Sequence, residues 1–300
     1  MEYVLETNGL SKKYANRYAV ENVSIHIKKG DIYGLIGKNG AGKTTLMRMI
    51  TSLSIPTEGS IKLFGAQAIQ KSLLRTGCII ENPALYTSMT ATQNMEYYRK
   101  ILGIVDKSSV QRLLDLVGLS EAGKKKIRNY SLGMKQRLGI AIALLGNPDF
   151  LVLDEPINGL DPTGIAEVRN LLLRLKNEQG LTILISSHIL GELSKMATCY
   201  GIIHDGRLVE EFTAAQLEQK CKRCLKIEVD DEKRAVVILE KEFQITQYDI
   251  PEAGVVRLFE HIEESSLINR ALTQGGILVE SISAAGEDLE SYFMGRMGGN

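Results

Sequence analysis

The chain has 300 residues, enough for two domains of ordinary size, and its 36 Lys and Arg residues balance 36 Asp and Glu residues. This zero net charge gives no reason to expect nucleic acid or an anionic membrane surface as the main partner. The longest apolar runs fall short of the ~20 residues of a membrane-spanning helix, and the chain start shows no secretory signal, so we expect a cytoplasmic protein.

A regular alternation of elements occupies the chain up to about residue 200. Short β-branched runs alternate there with helical patterns, which is typical of a mainly parallel sheet covered by helices. Strands are predicted at residues 23–27, 32–36, 61–64, 78–80, 150–153, 182–185 and 200–204. Residues 82–145 are predicted as an inserted helical subdomain, almost wholly helical from residue 91, and 201–210 as a closing hairpin that turns at Asp205-Gly206. The pattern predicts an α/β domain over residues 1–218.

Residues 219–300 are predicted to form a small α+β accessory domain, introduced by a lysine-rich link at 220–223. Its predicted elements are strand 225–229, helix 233–243, strands 248–250 and 255–259, helix 265–273, strand 277–282 and a terminal helix from residue 287. The order β-α-β-β-α-β is typical of a ferredoxin-like fold. Cys221 and Cys224 form a CxxC at the link, where we expect two plain thiols, with metal or redox use as the alternative.

A phosphate-binding motif lies between the predicted strand 32–36 and a predicted helix. The loop matches GxxxxGK[ST] and consists of Gly37, Lys38, Asn39, Gly40, Ala41, Gly42, Lys43 and Thr44, followed by Thr45. Its glycines let backbone N–H groups point at phosphates, and the helix N-terminus adds partial positive charge. We expect Lys43 to reach the terminal phosphates and Thr44 to offer its hydroxyl to Mg²⁺. The alternative is a glycine-rich turn that happens to precede a helix.

Two carboxylates follow the predicted buried strand 150–153. The carboxyl end of such a strand is where ligands lie in open α/β sheets. Because neighbouring residues at a strand end point different ways, we expect Asp154 to orient the Mg²⁺ shell and Glu155 to face the attacking water. The alternative, a paired acidic turn, does not explain the phosphate motif beside it. The two motifs together predict a P-loop ATPase that binds and hydrolyses Mg-ATP.

Further motifs occur in a fixed order around these two. Residues 130–137 read YSLGMKQR, residues 158–161 read NGLD and residues 186–188 read SSH. In this order they resemble the ATP-binding-cassette family, specifically the separate nucleotide-binding subunit of a transporter. The resemblance covers roughly the first 215 residues. It implies a P-loop cassette with a mainly parallel sheet, an inserted helical subdomain and an antiparallel β part.

The resemblance also implies roles for single residues. Tyr14 is similar to the aromatic residue that stacks on adenine. Ser131 and Gly133 are similar to the signature residues that contact ATP held by the opposite subunit, although Leu132 and Met134 replace the usual Gly and Gln. Asp161 is similar to a residue of the loop that touches the partner, and His188 to the histidine that contacts the γ-phosphate. The other histidines, at positions 26, 204 and 261, are expected to be structural.

One departure from the family pattern concerns the metal. Residues 77–83 read GCIIENP, with Glu81 where most members have a glutamine that contacts Mg²⁺. A carboxylate keeps an oxygen for the metal and adds a charge. This glutamate and the YSLGMKQR stretch resemble the subgroup associated with bacitracin export and lantibiotic self-protection. Peptide-antibiotic export is therefore the expected transport function.

The resemblance implies a homodimer or heterodimer of ATPase subunits that drives separate transmembrane permease subunits. The chain would then lie at the inner face of the cell membrane, held only through those partners, with no nucleic acid bound. The main alternative is a soluble cassette ATPase that works on ribosomes or DNA. A second alternative is a non-catalytic regulator that uses the C-terminal domain as a ligand sensor. Copurification with a membrane protein and a measurable ATPase rate would separate these hypotheses.

Overall fold

The computed structural model describes residues 2–67, 69–221, 223–285, 292–293 and 295. Within these residues the chain divides into two compact units, one up to residue 214 and one from residue 215 to residue 295. The domain boundary predicted from the sequence lies between residues 218 and 219. Among the described residues, no helix is long and apolar enough to cross a membrane.

The first unit begins with an antiparallel sheet that joins the body of an α/β domain. Its elements, in chain order, are β1 (Tyr3–Tyr14), β2 (Arg17–Val23), β3 (His26–Lys28), β4 (Ile32–Ile36), α1 (Lys43–Ile50), β5 (Glu58–Leu63), α2 (Gln70–Leu73), β6 (Thr76–Ile79), α3 (Ala91–Ile101), α4 (Ser108–Leu116), α5 (Leu132–Ala143), β7 (Phe150–Leu153), α6 (Pro162–Gln179), β8 (Thr182–Ser187), α7 (Leu190–Leu193), β9 (Cys199–His204) and β10 (Arg207–Thr213).

The central sheet has the strand order β10-β9-β4-β8-β7-β6. All neighbours are parallel except β9 and β10, which form the hairpin expected from Asp205-Gly206. Every residue of β4, β7 and β8 is buried, as expected for parallel strands whose two faces are covered. The carboxyl ends of these three strands therefore meet at one edge, where the phosphate loop, the acidic pair and His188 follow.

The antiparallel sheet corrects the sequence prediction. It has the order β2-β1-β3, with β5 paired to the long strand β1, which the sequence analysis missed. The predicted strand 23–27 is wrong as a unit, because β2 ends at Val23 and β3 begins at His26. Polar residues interrupt the apolar alternation of β1, so its pattern does not predict a strand.

The predicted helical region is less continuous than expected. It contains α3, α4 and α5, separated by loops and by two short 3-10 segments, Glu121–Lys124 and Ile127–Asn129. Helix α3 begins with a capping box in which Thr90 accepts from the Gln93 N–H and the Gln93 side chain accepts from the Thr90 N–H. Gly103 and Gly118, both with positive φ, lie in the breaks that follow α3 and α4.

The second unit has its own fold. It contains most of α8 (Ala214–Cys221), then β11 (Cys224–Val229), α9 (Glu232–Phe243), β12 (Tyr248–Glu252), β13 (Val255–Leu258), a 3-10 segment (Ile262–Glu264), α10 (Ser265–Gln274) and β14 (Val279–Ala285). The sheet order is β12-β13-β11-β14, antiparallel throughout.

From β11 onward the order is β-α-β-β-α-β, as the sequence predicts, and the sheet order is ferredoxin-like. Side chains of the sheet and of the helices α9 and α10 share one apolar core. The predicted link 220–223 begins inside α8, which ends at Cys221. The terminal helix predicted from residue 287 lies outside the described residues.

Candidate active site

The phosphate loop connects β4 to α1 and needs glycine where it turns. Gly42 has φ of 108°, and a Cβ at that position would lie 2.5 Å from the Ala19 carbonyl oxygen. Gly37 is equally confined, because its Cβ would lie 2.5 Å from the Ile203 carbonyl oxygen. Gly40 has φ of 83° with open space around it. The loop thus packs closely against β9 at Gly37 and against β2 at Gly42, and it has open space at Gly40.

Lys43 is the first residue of α1, and its side chain folds back over the loop. Only 5% of the residue is exposed. Its ammonium donates to the Gly37 carbonyl at 2.6 Å and to the Lys38 carbonyl at 3.3 Å. Its Nζ also lies 3.1 Å from Oε1 of Glu155. The ammonium therefore connects the two ends of the loop to the acidic residue at the end of β7.

Asp154 is 2% exposed, and hydrogen bonds occupy both of its carboxylate oxygens. Thr44 donates from Oγ1 to Oδ2 at 2.7 Å, and Ser186 donates from Oγ to Oδ1 at 2.6 Å. A buried carboxylate is stabilised by such donors, and here they also fix its orientation. The contact with Thr44 brings the two predicted metal ligands, a hydroxyl and a carboxylate, within hydrogen-bond distance of each other.

Ser186 is a residue of this site that the sequence analysis did not select. It is fully buried in β8, donates to Asp154 and accepts from the backbone N–H of Glu155 at 2.8 Å. The SSH stretch was chosen only for His188. The signal that could have found Ser186 is a hydroxyl near the carboxyl end of a buried strand, where the ligand site of a parallel sheet is expected.

Glu155 lies between a cation and the imidazole of His188. Its backbone is left-handed, with φ of 48°, and its N–H is held by Ser186. Its Oε2 lies 2.9 Å from Nδ1 of His188. Its Oε1 is buried near Lys43 but accepts no hydrogen bond of good geometry from the described residues. A carboxylate oxygen next to a phosphate loop can accept a proton once the cation beside it turns away.

Two clefts adjoin the loop. The smaller, about 170 Å³, is lined by loop residues and Glu155. The larger, about 670 Å³, is lined by Tyr14, Tyr18 and His204 together with the loop. Both clefts contain Asn39 and Gly40 in their walls, so a ligand with a phosphate end and a flat end fits across them.

Two tyrosines, Tyr14 and Tyr18, line the wall of the larger cleft. Tyr14 is 49% exposed, and Nζ of Lys12 lies 5.2 Å from the centre of its ring. The hydrogen bond from the Tyr18 hydroxyl to Glu58 raises the pKa of Tyr18, so this phenol stays neutral. His204, expected to be structural, lines this cleft as well.

The other predicted site residues have local side-chain bonds. Ser131 caps α5 by accepting from the Met134 N–H, and Asp161 caps α6 by accepting from the Gly164 N–H. A Cβ at Gly133 would lie 3.6 Å from the Gly164 Cα, so α5 and α6 approach each other here. These residues belong to a second group, distinct from the hydrogen-bonded cluster around Asp154.

Glu81 is bound by a cation from α1. Its carboxylate pairs with the guanidinium of Arg48, and both side chains are exposed. The Glu81 backbone is left-handed, with φ of 65°. Since α1 begins at Lys43, this ion pair connects the segment after β6 to the helix of the phosphate loop.

Comparison with known proteins decides the family. A family model described as "ABC transporter" matches residues 20–158. The bacitracin transport ATP-binding protein BcrA of Enterococcus faecalis is 42% identical, over 100% of this chain and 98% of that protein. The chain belongs to the ATP-binding proteins of ABC transporters. The family resemblance predicted from the sequence motifs is thereby confirmed.

One more relative and one solved structure support the assignment of this chain to the ABC family. The lantibiotic transport ATP-binding protein SrtF of Streptococcus pyogenes is 45% identical over 69% of this chain and 90% of its own length. A solved ATP-binding subunit of an ABC transporter superposes with a TM-score of 0.64 at 29% identity, covering 72% of this chain and 92% of that one. The predicted P-loop cassette fold is confirmed, and the chain is the ATP-hydrolysing subunit of a transporter.

Proposed function

We propose that this ABC subunit hydrolyses Mg-ATP at the cluster of Lys43, Asp154 and Glu155 to drive export of a peptide antibiotic through a separate membrane permease. The observation that carries the proposal is the placement of Glu155 beside both Lys43 and His188 at the mouth of the phosphate loop. The names of the bacitracin and lantibiotic relatives support the cargo. Through the permease the subunit acts at the inner face of the membrane.

The residues at the cluster suit a magnesium ion. Thr44 and Asp154 supply hard oxygen ligands that already contact each other, and Glu81 is a further carboxylate candidate. A bound Mg²⁺ would neutralise part of the triphosphate charge and hold its oxygens in line. Before Glu81 can reach a metal, its carboxylate has to leave Arg48. Ser186 keeps Asp154 in place throughout.

The hydrolytic step depends on Glu155. Its carboxylate accepts a proton from the water that attacks the γ-phosphate, and the left-handed backbone directs the side chain toward the loop. Lys43, now paired with Glu155, turns to the γ-phosphate when ATP occupies the loop, which releases the carboxylate for this role. His188 holds Glu155 and contacts the γ-phosphate. Tyr14 stacks on the adenine ring from the wall of the larger cleft.

A second copy completes the site. Ser131 and Gly133 present a helix N-terminus whose N–H groups suit a phosphate, and Asp161 lies at the start of the neighbouring helix α6. In the proposed pair, each subunit offers these residues to the ATP of its partner. ATP then stabilises the pair and hydrolysis loosens it, which moves the permease.

Bacterial susceptibility tests the transport function. The chain is expressed with the permease of its own locus in a susceptible bacterium, and the minimal inhibitory concentrations of bacitracin and of a lantibiotic are measured. We expect one of the two to rise at least about 10-fold and to return to baseline with Lys43→Ala, since the ammonium that binds phosphate is lost. Lys28→Ala, on the exposed edge of β3, is the control that keeps the protection. Unchanged susceptibility with an assembled, ATP-hydrolysing complex would rule out both cargoes.

A further inference from the structure

The sheet of the second unit has two edges of different character. Strand β12 forms one edge and contains Pro251, which has no N–H to donate, next to the acidic Glu252. Strand β14 forms the other edge and pairs with β11 on one side, while no strand pairs with its other side in the part of the chain that the structure describes. Proline and charge are common protections of an edge strand, and only β12 carries both.

The outer half of β14 lacks protective residues. From Ser281 to Ala285 it reads SISAA, without charge or proline, and it pairs residue for residue with β11. Glu280 is the extra residue of a bulge that ends this regular stretch, because Ser281 lies opposite Glu228 and Val279 opposite Val229. Ser283 and Ala284 are exposed. Small uncharged side chains leave the outward N–H and C=O groups of this edge, which have no strand partner among the described residues, accessible to another strand.

We propose that β14 pairs with β14 of a second copy of this chain, antiparallel about a two-fold axis, so that the two four-stranded sheets become one continuous sheet. A two-fold pairing requires a strand that is complementary to itself. This strand satisfies that condition, because no like charges meet within SISAA when it runs against its own copy. Ile282, packed against the core but only partly buried, gains further burial at the new junction.

This pairing differs from the ATP-dependent pairing proposed for the first unit, since it uses no nucleotide. It holds two subunits together when their ATP sites are empty. A pre-assembled pair raises the effective concentration of each ATP site for the signature residues of its partner. Absence of the β14 pairing would leave the residues of each ATP site and the ATP-dependent pairing of the first units intact.

Charge variants of the full chain test the pairing. Ser281 and Ser283 lie on the same face of β14, opposite Glu228 and Lys226 of β11. The double variants S281K/S283K and S281E/S283E therefore each meet one like and one opposite charge within their own chain. Across the two-fold axis, however, each variant sets like charges against like. A mixture of the two sets opposite charges together, whether the axis lies at Ile282 or at Ser283.

The measurement is sedimentation velocity without nucleotide and with EDTA, at about 50 µM chain. We expect the natural chain to sediment at twice the chain mass of 33.1 kDa. Each double variant should sediment as a monomer, with the dissociation constant of the dimer raised at least 10-fold, and their mixture should recover the dimer. Ile250→Lys, on the protected edge β12, should remain dimeric.

Three results would overturn the proposal. They are a monomeric natural chain, a dimer that persists in both double variants, and a mixture that stays monomeric although each variant keeps the circular dichroism of the natural chain. Recovery of the dimer in the mixture also excludes misfolding as the cause of dissociation, because an unfolded edge could not pair again.

Discussion

At the scale of single residues, Ser186 connects the two acidic residues that have different tasks. It donates to the Asp154 carboxylate and accepts from the Glu155 N–H, so one buried hydroxyl fixes both. The left-handed backbone of Glu155 has an energetic cost of about 1 kcal/mol, which this bond offsets. Ser186 touches neither the nucleotide nor the water in the proposed mechanism. It is a positioning residue.

Ser186→Ala is expected to lower kcat of ATP hydrolysis about 10-fold or more, because Asp154 and Glu155 both lose the bond that orients them. The matched control is Ser187→Ala. Ser187 is equally buried, but among the described residues its hydroxyl accepts only from the Ile189 N–H. Thermal melts should show similar losses of stability for both variants. Equal losses of kcat would show that burial, and not orientation, explains the effect.

Sequence motifs selected most residues of the candidate site but did not indicate which of them contact each other. The phosphate loop and the acidic pair were found because their spacing follows directly from the chemistry of phosphate and metal binding. Ser186 was missed because its partner Asp154 lies at the end of the neighbouring strand β7. The order of strands in a sheet cannot be deduced from one amino-acid sequence. The Arg48–Glu81 ion pair was not predicted either, because the sequence does not show that α1 and the segment after β6 are neighbours.

At the scale of elements, close packing between β6 and α5 supports the sheet edge. Gly77 is buried in β6, and a Cβ there would lie 2.3 Å from the Ala143 carbonyl oxygen. The two nearest atoms belong to the Ala143 backbone, which cannot move aside as a flexible side chain can. The parallel pairing of β6 with β7 thus depends on a glycine inside the strand.

Gly77→Ala is expected to lower the free energy of unfolding by about 3 kcal/mol, since the added methyl group forces β6 and α5 apart. Urea unfolding measures this change. Gly191→Ala is the control, because no atom lies within 4 Å of its added Cβ in α7, and it should raise stability by up to about 1 kcal/mol. A Gly77→Ala chain as stable as the natural one would contradict the described packing.

The elements themselves were predicted unevenly. The buried parallel strands β4, β7 and β8 were found because their apolar runs are continuous. Strand β1 was missed because its partners change along its length, from β3 and β5 to β2, so its burial has no single period. In the second unit the order of elements was correct because short strands and helices there are separated by clear polar breaks.

At the level of the whole molecule, the proposed mechanism requires two copies of the chain. Within one chain, among the described residues, Ser131 forms no hydrogen bond with the cluster around Asp154. Asp and Asn both cap helices well. Ser131→Asp and Ser131→Asn should therefore both keep α5 intact, while only the aspartate places a negative charge against the γ-phosphate of the partner.

The expected result is that Ser131→Asp weakens ATP-dependent dimerisation at least about 10-fold more than Ser131→Asn. Light scattering in a Glu155→Gln background, with saturating ATP, makes the comparison without turnover. The S281K/S283K substitutions are included in every chain, so that pairing through β14 does not contribute. Equal dimerisation by the two variants would mean that Ser131 does not face a phosphate.

The central claim is that Glu155 accepts the proton of the attacking water at a loop that binds ATP. The most direct test is phosphate release by Glu155→Gln, measured beside its ATP affinity by calorimetry. Because the amide keeps the shape of the side chain but cannot accept the proton, we predict that hydrolysis falls at least about 100-fold while the ATP affinity stays within about 3-fold of that of the natural chain. Hydrolysis near the natural rate would contradict it.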